Sequence, residues 1–143
     1  MAATTEYPEF AFDMDYWGYS WDAHKIRTED GFILTTFHIT GKKDHDIATD
    51  PNLAPIIIMN GTECDAESWV NVDPDDPPVI GENDPLPLRL FDDGFDIWLA
   101  SNRGTKYFQE HETLDINTEK FWDFTWVEMG KYDDISNIKY VKE

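Results

Sequence analysis

The sequence predicts an α/β fold, because two short apolar runs are separated by a candidate helix. The runs lie at residues 54–59 and 95–100, and Asn60 and Gly61 close the first of them. Apolar runs of this length between turn residues are typical of strands buried on both faces, as in parallel sheets. A crossover helix is expected at residues 85–91, with proline near its start. Two such strands joined through a helix predict a βαβ unit, onto which the rest of the chain packs.

Length and charge limit the function classes. The 143 residues suit one domain. Thirty acidic and eleven basic residues give a formal net charge of −19, which disfavours binding to nucleic acid and to anionic membranes. No run approaches the roughly 20 apolar residues of a membrane span, and residues 1–5 lack the features of a signal peptide. The single cysteine, Cys64, cannot form an internal disulfide, so the sequence itself leaves the compartment open.

The N-terminal region is expected to form an arm and then a hairpin. Residues 1–15 show no clear period, so we expect an N-terminal arm that lies on the surface. The aromatic cluster at residues 16–19 is typical of a packing anchor, with an aromatic ligand platform as the alternative. Strands are predicted at residues 24–27 and 32–39, because the Asp-Gly pair in residues 28–31 is a hairpin turn signal.

No group of side chains has the spacing of a metal site. His38 lies in a predicted strand without a second ligand nearby, so we interpret it as a strand-face histidine. The run at residues 44–46 lies in a polar loop. The carboxylates of residues 73–84 do not match an EF-hand, although weak calcium binding is the alternative to a solvated loop. We therefore predict no metal and no cofactor.

The C-terminal third carries a predicted ion pair and a helix. Arg103 is a basic residue among acids, and we expect it to pair with a carboxylate that holds loops together. A turn of helix is predicted at residues 118–124. Thr125 and Glu128 form a capping box, after which a helix is expected at residues 126–142. Its buried side is predicted from the apolar residues Trp126, Met129, Ile135, Ile138 and Val141.

A set of short motifs runs along the chain from about residue 16 to residue 141. They are Tyr16-Trp17-Gly18-Tyr19, Thr28-Glu29-Asp30-Gly31-Phe32-Ile33-Leu34, Asn60-Gly61, Trp69, Asp93-Gly94-Phe95-Asp96-Ile97-Trp98-Leu99, Asn102-Arg103-Gly104, Phe121-Trp122 and Glu128-Met129-Gly130-Lys131-Tyr132-Asp133. In this order and spacing they resemble the N-terminal part of the acid lipases, the gastric and lysosomal type within the α/β-hydrolase superfamily.

This resemblance implies a fold and a reaction class. The fold is the N-terminal half of an α/β-hydrolase fold, in which an antiparallel hairpin precedes the parallel βαβ unit and a packed helix, as one partial domain over residues 1–143. The reaction is hydrolysis of triacylglycerols, sterol esters or similar lipid esters by a Ser-His-Asp mechanism without a cofactor. The resemblance also implies a secreted, lysosomal or vesicular location.

The resemblance does not extend to the catalytic triad. The 143 residues contain no Gly-x-Ser-x-Gly pentad, which in the family follows the helix expected at residues 126–142. The four histidines, His24, His38, His45 and His111, match no triad position. We therefore predict no catalytic side chain in this chain, and we expect the chain alone to be inactive.

One catalytic feature of the family has a counterpart here. The family carries His-Gly in the turn after the first buried strand, and the next residue donates a backbone amide to the oxyanion. The matching positions are Asn60, Gly61 and Thr62, so the N–H of Thr62 is the candidate donor. The asparagine either braces the turn or indicates a site no longer under selection. Trp69 is expected to line the acyl crevice, and Cys64 is expected to be a buried or half-buried structural cysteine.

The turn also matches an N-glycosylation sequon at residues 60–62. We predict that this sequon is unused, because it lies at the carboxyl end of a central strand, where ligands gather in α/β sheets.

The sheet is expected to be incomplete. In the family's strand order, residues 56–59 would lie at an edge without protective lysine, a configuration that natural proteins avoid. We therefore predict that a second polypeptide completes the sheet, either the downstream half of a lipase or another subunit. The alternatives are a non-catalytic lipase-derived subunit of a larger assembly, or a fragment.

Overall fold

A mixed β-sheet forms the centre of the computed structural model, which describes residues 6–61 and 64–143. Its strands are β1 (Tyr19–Arg27), β2 (Phe32–Lys42), β3 (Ile56–Met59), β4 (Ile97–Ala100) and β5 (Glu110–His111). The main order is β1-β2-β4-β3, and β5 pairs with β2 beside this row. Only β3 and β4 are parallel to each other among the described strand pairs. The sheet is open, as the predicted α/β class requires.

The predicted hairpin is present and is longer than expected. β1 and β2 pair over their full length, from Tyr19 opposite Lys42 to Arg27 opposite Ile33. The turn between them is tight because Gly31 has φ +96°, a conformation that a Cβ atom disfavours. The Thr28 hydroxyl accepts a hydrogen bond from the Phe32 amide at 2.9 Å, which fixes the end of the turn.

The βαβ unit is also present, with the helix α2 (Leu86–Asp92) between its strands. Ile56 lies opposite Ile97, and the parallel register continues to Met59 opposite Ala100. All four residues of β4 are buried, as predicted for a central strand. The four residues of β3 are only half-buried. The prediction of burial on both faces is therefore wrong for β3, because β3 lies at the edge of the described sheet.

Residues 8–17 form a helix, α1 (Pro8–Trp17), rather than the surface arm predicted for residues 1–15. Phe10 and Met14 are fully buried, and the ring of Phe10 stacks on that of Phe37 with centroids 4.0 Å apart. The indole of Trp17 donates a hydrogen bond to the Val70 carbonyl at 2.7 Å. These residues recur at i, i+4 and i+7, which is the spacing of one helix face. Residues 1–5 of the predicted arm lie outside the described residues.

The C-terminal helical segment has three parts. They are the single turn α3 (Trp126–Glu128), a π-helical turn (Met129–Asp134) and α4 (Ile135–Lys142). A turn of 3-10 helix, Glu119–Trp122, precedes them, as predicted. The predicted capping box is confirmed: the Thr125 hydroxyl accepts from a backbone amide, and the Glu128 carboxylate accepts from the Thr125 amide at 2.8 Å.

The predicted buried side of this segment is wrong. Trp126 is 85% exposed, and Ile135 and Ile138 are exposed as well. The residues that meet the sheet are instead Asp133, Asn137 and Tyr140, at the spacing i, i+4 and i+7. The π-helical turn explains part of the difference, because one extra residue in a turn rotates what precedes it by about 100°.

We call the three contacts of this face the polar seam. Asp133 pairs with Arg103, Asn137 accepts a hydrogen bond from the Thr36 hydroxyl at 2.5 Å, and Tyr140 is hydrogen-bonded to His24 at 2.9 Å. Asp133 and Asn137 are fully buried. The segment therefore contacts the hairpin and the loop after β4 through polar side chains. Of its predicted apolar side, Trp126, Ile135 and Ile138 are exposed, whereas Met129 and Val141 are half-buried.

Arg103 forms the deepest contact of the polar seam, and the predicted pairing with a carboxylate is confirmed. Its side chain is 1% exposed. Its guanidinium donates to both oxygens of Asp133, at 2.7, 2.9 and 3.2 Å, and to both oxygens of Asp30, at 2.6 and 3.0 Å. It also lies 4.0 Å from the centroid of the Phe32 ring. The planar guanidinium is therefore fixed by charge-assisted hydrogen bonds to two carboxylates and by its contact with the Phe32 ring.

Replacing Arg103 with lysine is expected to destabilise the fold. Lysine keeps the charge, but its ammonium group cannot donate hydrogen bonds to all four carboxylate oxygens. Acceptor oxygens of Asp133 and Asp30 therefore lose their donors. We expect Arg103→Lys to lower the free energy of unfolding by about 1–3 kcal/mol, measured by urea denaturation. The matched control is Arg27→Lys, whose exposed pair with Glu112 contributes at most about 1 kcal/mol. Equal effects of the two variants would contradict this assignment.

A second prediction concerns Asp13, which is 3% exposed and accepts a hydrogen bond from the Val72 amide at 3.0 Å. Burial raises the pKa of its carboxyl from 3.8 to about 6, with the nearby Glu67 carboxylate adding to the rise. A raised pKa stabilises the fold below the unfolded value of 3.8, and this stabilisation is lost as the pH rises through about 6.

The variant Asp13→Asn keeps an acceptor for Val72 but cannot ionise. Its unfolding free energy relative to the wild type should therefore rise by about 1–3 kcal/mol between pH 4 and pH 7. Urea denaturation at a series of pH values measures this difference. A constant difference across the series would rule out the titration of Asp13 in this range.

Candidate functional site

The carboxyl ends of β3 and β4 meet at one edge of the sheet. The parallel register sets Met59 opposite Ala100, so the turn that begins at Asn60 and the loop that begins at Ser101 leave the sheet side by side. In open α/β sheets, ligands bind at the carboxyl ends of the strands. This edge is therefore the candidate functional site.

Three side-chain oxygens at this edge are buried without a hydrogen-bond partner among the described residues. They are Oδ1 of Asn60, Oγ of Ser101 and Oδ1 of Asn102. Buried polar atoms in folded proteins are nearly always hydrogen-bonded, so three such atoms at one place mark this edge as a candidate binding site. Sequence analysis identified Asn60 but did not identify Ser101 and Asn102 as site residues. The available signal was that polar residues directly follow both parallel strands.

Asn60 braces the turn in which it lies. The side chain is 6% exposed, and its amide nitrogen donates to the Gly61 carbonyl at 3.2 Å and to the Cys64 carbonyl. The bond to Gly61 joins neighbouring residues, whereas the bond to Cys64 connects the two ends of the turn that follows β3. The role of Asn60 as support for an oxyanion turn stays a prediction. Thr62 lies outside the described residues, so its backbone amide as an oxyanion donor stays a prediction.

The other two residues singled out near this turn have different surroundings. Trp69 ends a turn of 3-10 helix, Ala66–Trp69, which the Asp65 side chain caps by accepting from the Glu67 amide. Trp69 is half-buried and packs against the main hydrophobic core, so its role in lining an acyl crevice stays a prediction. Cys64 is an exposed residue, and the prediction of a buried structural cysteine is therefore wrong.

The outer edge of β3 borders an apolar groove of about 390 Å³. Ile57 and Met59 form one wall, and Ile138 and Val141 of α4 form the other. Natural sheets rarely leave such an edge uncovered, because its free N–H and C=O groups can pair with another strand. This flank is therefore where a further strand can join the sheet.

His38 and His111 form hydrogen bonds within the fold. His38 is hydrogen-bonded to Asp96 at 2.6 Å, and its ring stacks on that of Trp98 with centroids 4.0 Å apart, which confirms the strand-face interpretation. His111 accepts hydrogen bonds from the Thr113 and Leu114 amides at 3.0 Å.

Neither a metal cluster nor a membrane-spanning helix occurs in the described part of the chain. Residues 6–61 and 64–143 contain no group of three or more metal-ligating side chains. Within the same residues, no helix has the length and apolar character that crossing a membrane requires.

The burial of Asn60 predicts that the sequon at residues 60–62 carries no glycan. Oligosaccharide addition needs the Asn60 amide nitrogen, which in the fold is buried and donates to two carbonyl groups. Secretion of the chain from a glycosylating eukaryotic host should therefore yield an unmodified Asn60, as measured by peptide mass spectrometry.

The control for this prediction is a second sequon in the polar loop after β2. The double variant Asp46→Asn, Ala48→Thr creates one at residues 46–48, where both replaced side chains are exposed. This added sequon should be glycosylated in the same host, which shows that the chain can be modified where an asparagine is accessible. A glycan at Asn60 with full occupancy would contradict the buried placement.

Comparison with known proteins identifies the family. Residues 10–73 match the family described as partial alpha/beta-hydrolase lipase region. Lipase member K of Mus musculus is 32% identical over 130 residues, 91% of this chain and 30% of that protein. Lysosomal acid lipase/cholesteryl ester hydrolase of Homo sapiens is 32% identical, covering 90% and 30%. Triacylglycerol lipase 2 of Arabidopsis thaliana is 34% identical, covering 86% and 28%.

The chain thus spans about three tenths of the length of these curated relatives. The similarity nevertheless extends over about nine tenths of this chain, which includes both parallel strands and the turn at Asn60. The resemblance found in the sequence is confirmed: the chain is similar to the acid lipases over about nine tenths of its length, and residues 10–73 match the partial alpha/beta-hydrolase lipase region.

Proposed function

We propose that this chain is the N-terminal portion of a lipid-ester hydrolase of the acid lipase type. The observation that carries the proposal is the parallel pair of β3 and β4, which brings the turn at Asn60 beside Ser101 and Asn102. The names of the relatives supply the reaction class, since they describe lipases and a cholesteryl ester hydrolase. The substrate class proposed here is accordingly a neutral lipid ester.

In this proposal the chain contributes the oxyanion turn and a complement contributes the triad. The Thr62 amide donates to the negative oxygen that forms when an ester carbonyl is attacked, and Asn60 holds the turn in place. Backbone donors of this kind stabilise the transition state because they are oriented before the reaction begins. The serine, histidine and acid come from sequence other than these 143 residues, which contain no Gly-x-Ser-x-Gly pentad. Trp69 lines the acyl crevice.

The outer edge of β3 is the proposed site for the complement. Its residues are apolar, and neither Ile57 nor Met59 is shielded by a charged neighbour along the strand. A strand that adds here would pair the free backbone groups and cover the groove between β3 and α4. It would also carry its own carboxyl end to the edge where Asn60, Ser101 and Asn102 have side-chain oxygens without a hydrogen-bond partner among the described residues.

The second candidate is a non-catalytic, lipase-derived subunit of a larger assembly. The observation that favours it is Asn60, which stands where the family turn carries histidine. Protein that co-purifies with the chain distinguishes the two candidates when it is identified by mass spectrometry. A partner with a Gly-x-Ser-x-Gly pentad supports the hydrolase, whereas a partner without it, together with no ester hydrolysis, supports the subunit.

Complementation provides the direct test. The chain is co-expressed with the part of Lipase 1 of Drosophila melanogaster that follows its matched segment; this relative is 34% identical over 125 residues, which are 25% of its length. Hydrolysis of a chromogenic fatty ester is then measured. Activity should require both polypeptides, and Thr62→Pro, which removes the backbone donor, should lower kcat about 10²–10³-fold.

The matched control is Thr62→Ala, which keeps the amide and should retain activity within a few-fold of the wild-type complex. If both variants are equally active, the Thr62 amide is not an oxyanion donor. If no complement restores activity although a stable complex forms, the hydrolase proposal fails in favour of the non-catalytic subunit.

A further inference from the structure

The outermost contact of the polar seam joins α4 to a histidine on the edge strand β1. Nδ1 of His24 lies 2.9 Å from the hydroxyl oxygen of Tyr140, near the end of the helix. Nε2 of the same ring is buried and has no hydrogen-bond partner among the described residues. Nδ1 therefore contacts the helix, whereas Nε2 has no hydrogen-bond acceptor within the described residues.

Aromatic rings surround His24 on the sheet face. The ring centroid of Trp98 lies 5.0 Å away, that of Tyr140 lies 5.6 Å away, and that of His38 lies 5.9 Å away. His38 has its own carboxylate, because its Nε2 is 2.6 Å from Asp96. A positive charge on His38 would therefore be in contact with a carboxylate. A positive charge on His24 would lie beside His38 without a carboxylate in contact with it.

The remaining charged groups near His24 come from β1 and from the helix. On β1 the exposed Asp22 lies two residues away, and on the helix Lys139 and Glu143 lie next to Tyr140 along a groove beside β1. Lys139 and Glu143 have opposite charges, and neither forms an ion pair within the described residues. Asp22 is thus the nearby carboxylate that favours a charged His24.

We propose that the last turn of α4, residues 138–142, is a pH-sensitive latch, which is docked on the sheet while His24 is neutral and is released when His24 gains a proton. In either neutral tautomer, the added proton makes both ring nitrogens donors of a charged ring, and the buried Nε2–H of that charged ring has no acceptor among the described residues. It also creates a cation beside His38. Release of the helix lets water reach the ring, which removes both penalties.

The sign of the pH dependence follows from the surroundings of the ring. Burial lowers the pKa of His24 below its usual 6.5, and the neighbouring His38 lowers it further, while Asp22 opposes them. A lowered pKa stabilises docking above about 6.5, and this stabilisation is lost as the pH falls through the lowered value. The population ratio of released to docked helix should rise about tenfold for each pKa unit that separates the two states.

The other end of the polar seam determines how much of the chain moves. Arg103 stays charged at any relevant pH, so its pair with Asp133 holds the π-helical turn in place. Asn137 is held as well, because its buried hydrogen bond from the Thr36 hydroxyl involves no titrating group. Release therefore frees residues 138–142, the part of α4 that follows Asn137. Release of α4 removes the wall formed by Ile138 and Val141 and opens the groove beside β3. This inference depends on the fold alone and is independent of the proposed hydrolase function.

Nuclear magnetic resonance of the isotope-labelled chain tests the latch. The ring protons of His24 and the 13Cα shifts of residues 126–142 are followed from about pH 7.5 to about pH 5, the range in which histidine titrates. In the wild type, the helical shifts of residues 138–142 should be lost with the same midpoint as the His24 titration. The shifts of residues 126–137 should stay unchanged through this range.

Variants separate His24 from the other histidines. His24→Gln cannot be protonated and can still contact Tyr140, so its α4 should stay docked down to about pH 5. His38→Gln removes the neighbouring charge and should move the midpoint to higher pH. The control His45→Gln, at an exposed loop histidine, should behave as the wild type.

Two results would overturn the latch. One is an α4 that stays docked through the complete titration of His24 in the wild type. The other is a release of α4 in His24→Gln with the wild-type midpoint. If His24→Gln does not fold, the wild-type titration decides alone, because the latch requires one shared midpoint.

Discussion

This structure depends on the ion pairs that the buried guanidinium of Arg103 forms. It binds Asp30 in the hairpin turn and Asp133 in the π-helical turn, while its own backbone belongs to the loop that follows β4. Three parts of the chain that are 30 and 73 residues apart are thereby fixed to one plane. Burying a cation is costly unless its donors are satisfied. Here two carboxylates and the Phe32 ring satisfy it, and the loop at the candidate site is held in position as a result.

Local signals in the sequence were sufficient for much of the fold. The Asp-Gly turn, the Thr125–Glu128 capping box and the two apolar runs are short-range features, and each has its physical cause within a few residues. The pairing of Arg103 with carboxylates was predictable because a cation among many acids has few other options. The turn at Asn60 was predictable from local sequence as well, since it directly follows a strand.

Features that depend on distant partners could not be predicted in this way. The helix of residues 8–17 mixes apolar and polar residues, and its buried face is recognisable only once Phe37 and Val70 are in place. The predicted orientation of the C-terminal segment is wrong, because the prediction placed its apolar residues against the sheet. The surface under this segment instead carries Thr36 and His24 of the sheet and Arg103 of the loop after β4. Leaving these polar side chains buried without partners costs more free energy than exposing the apolar residues. The unpartnered oxygens at the candidate site likewise depend on what adjoins both strands.

The π-helical turn has a further consequence for how this segment tolerates change. Its extra residue sets α3 and α4 out of phase, so that Trp126 is directed to solvent although it lies seven residues before Asp133. Loss of one residue between 129 and 134 would convert the segment into an uninterrupted α-helix and leave its two halves in their present orientation, because the π-helical turn already absorbs one residue. Trp126 would still be directed to solvent, and Asn137 and Tyr140 would keep their contacts. Loss of one residue from α4 between Asp133 and Asn137, by contrast, would rotate the rest of the helix by about 100° and move these two side chains away from their partners.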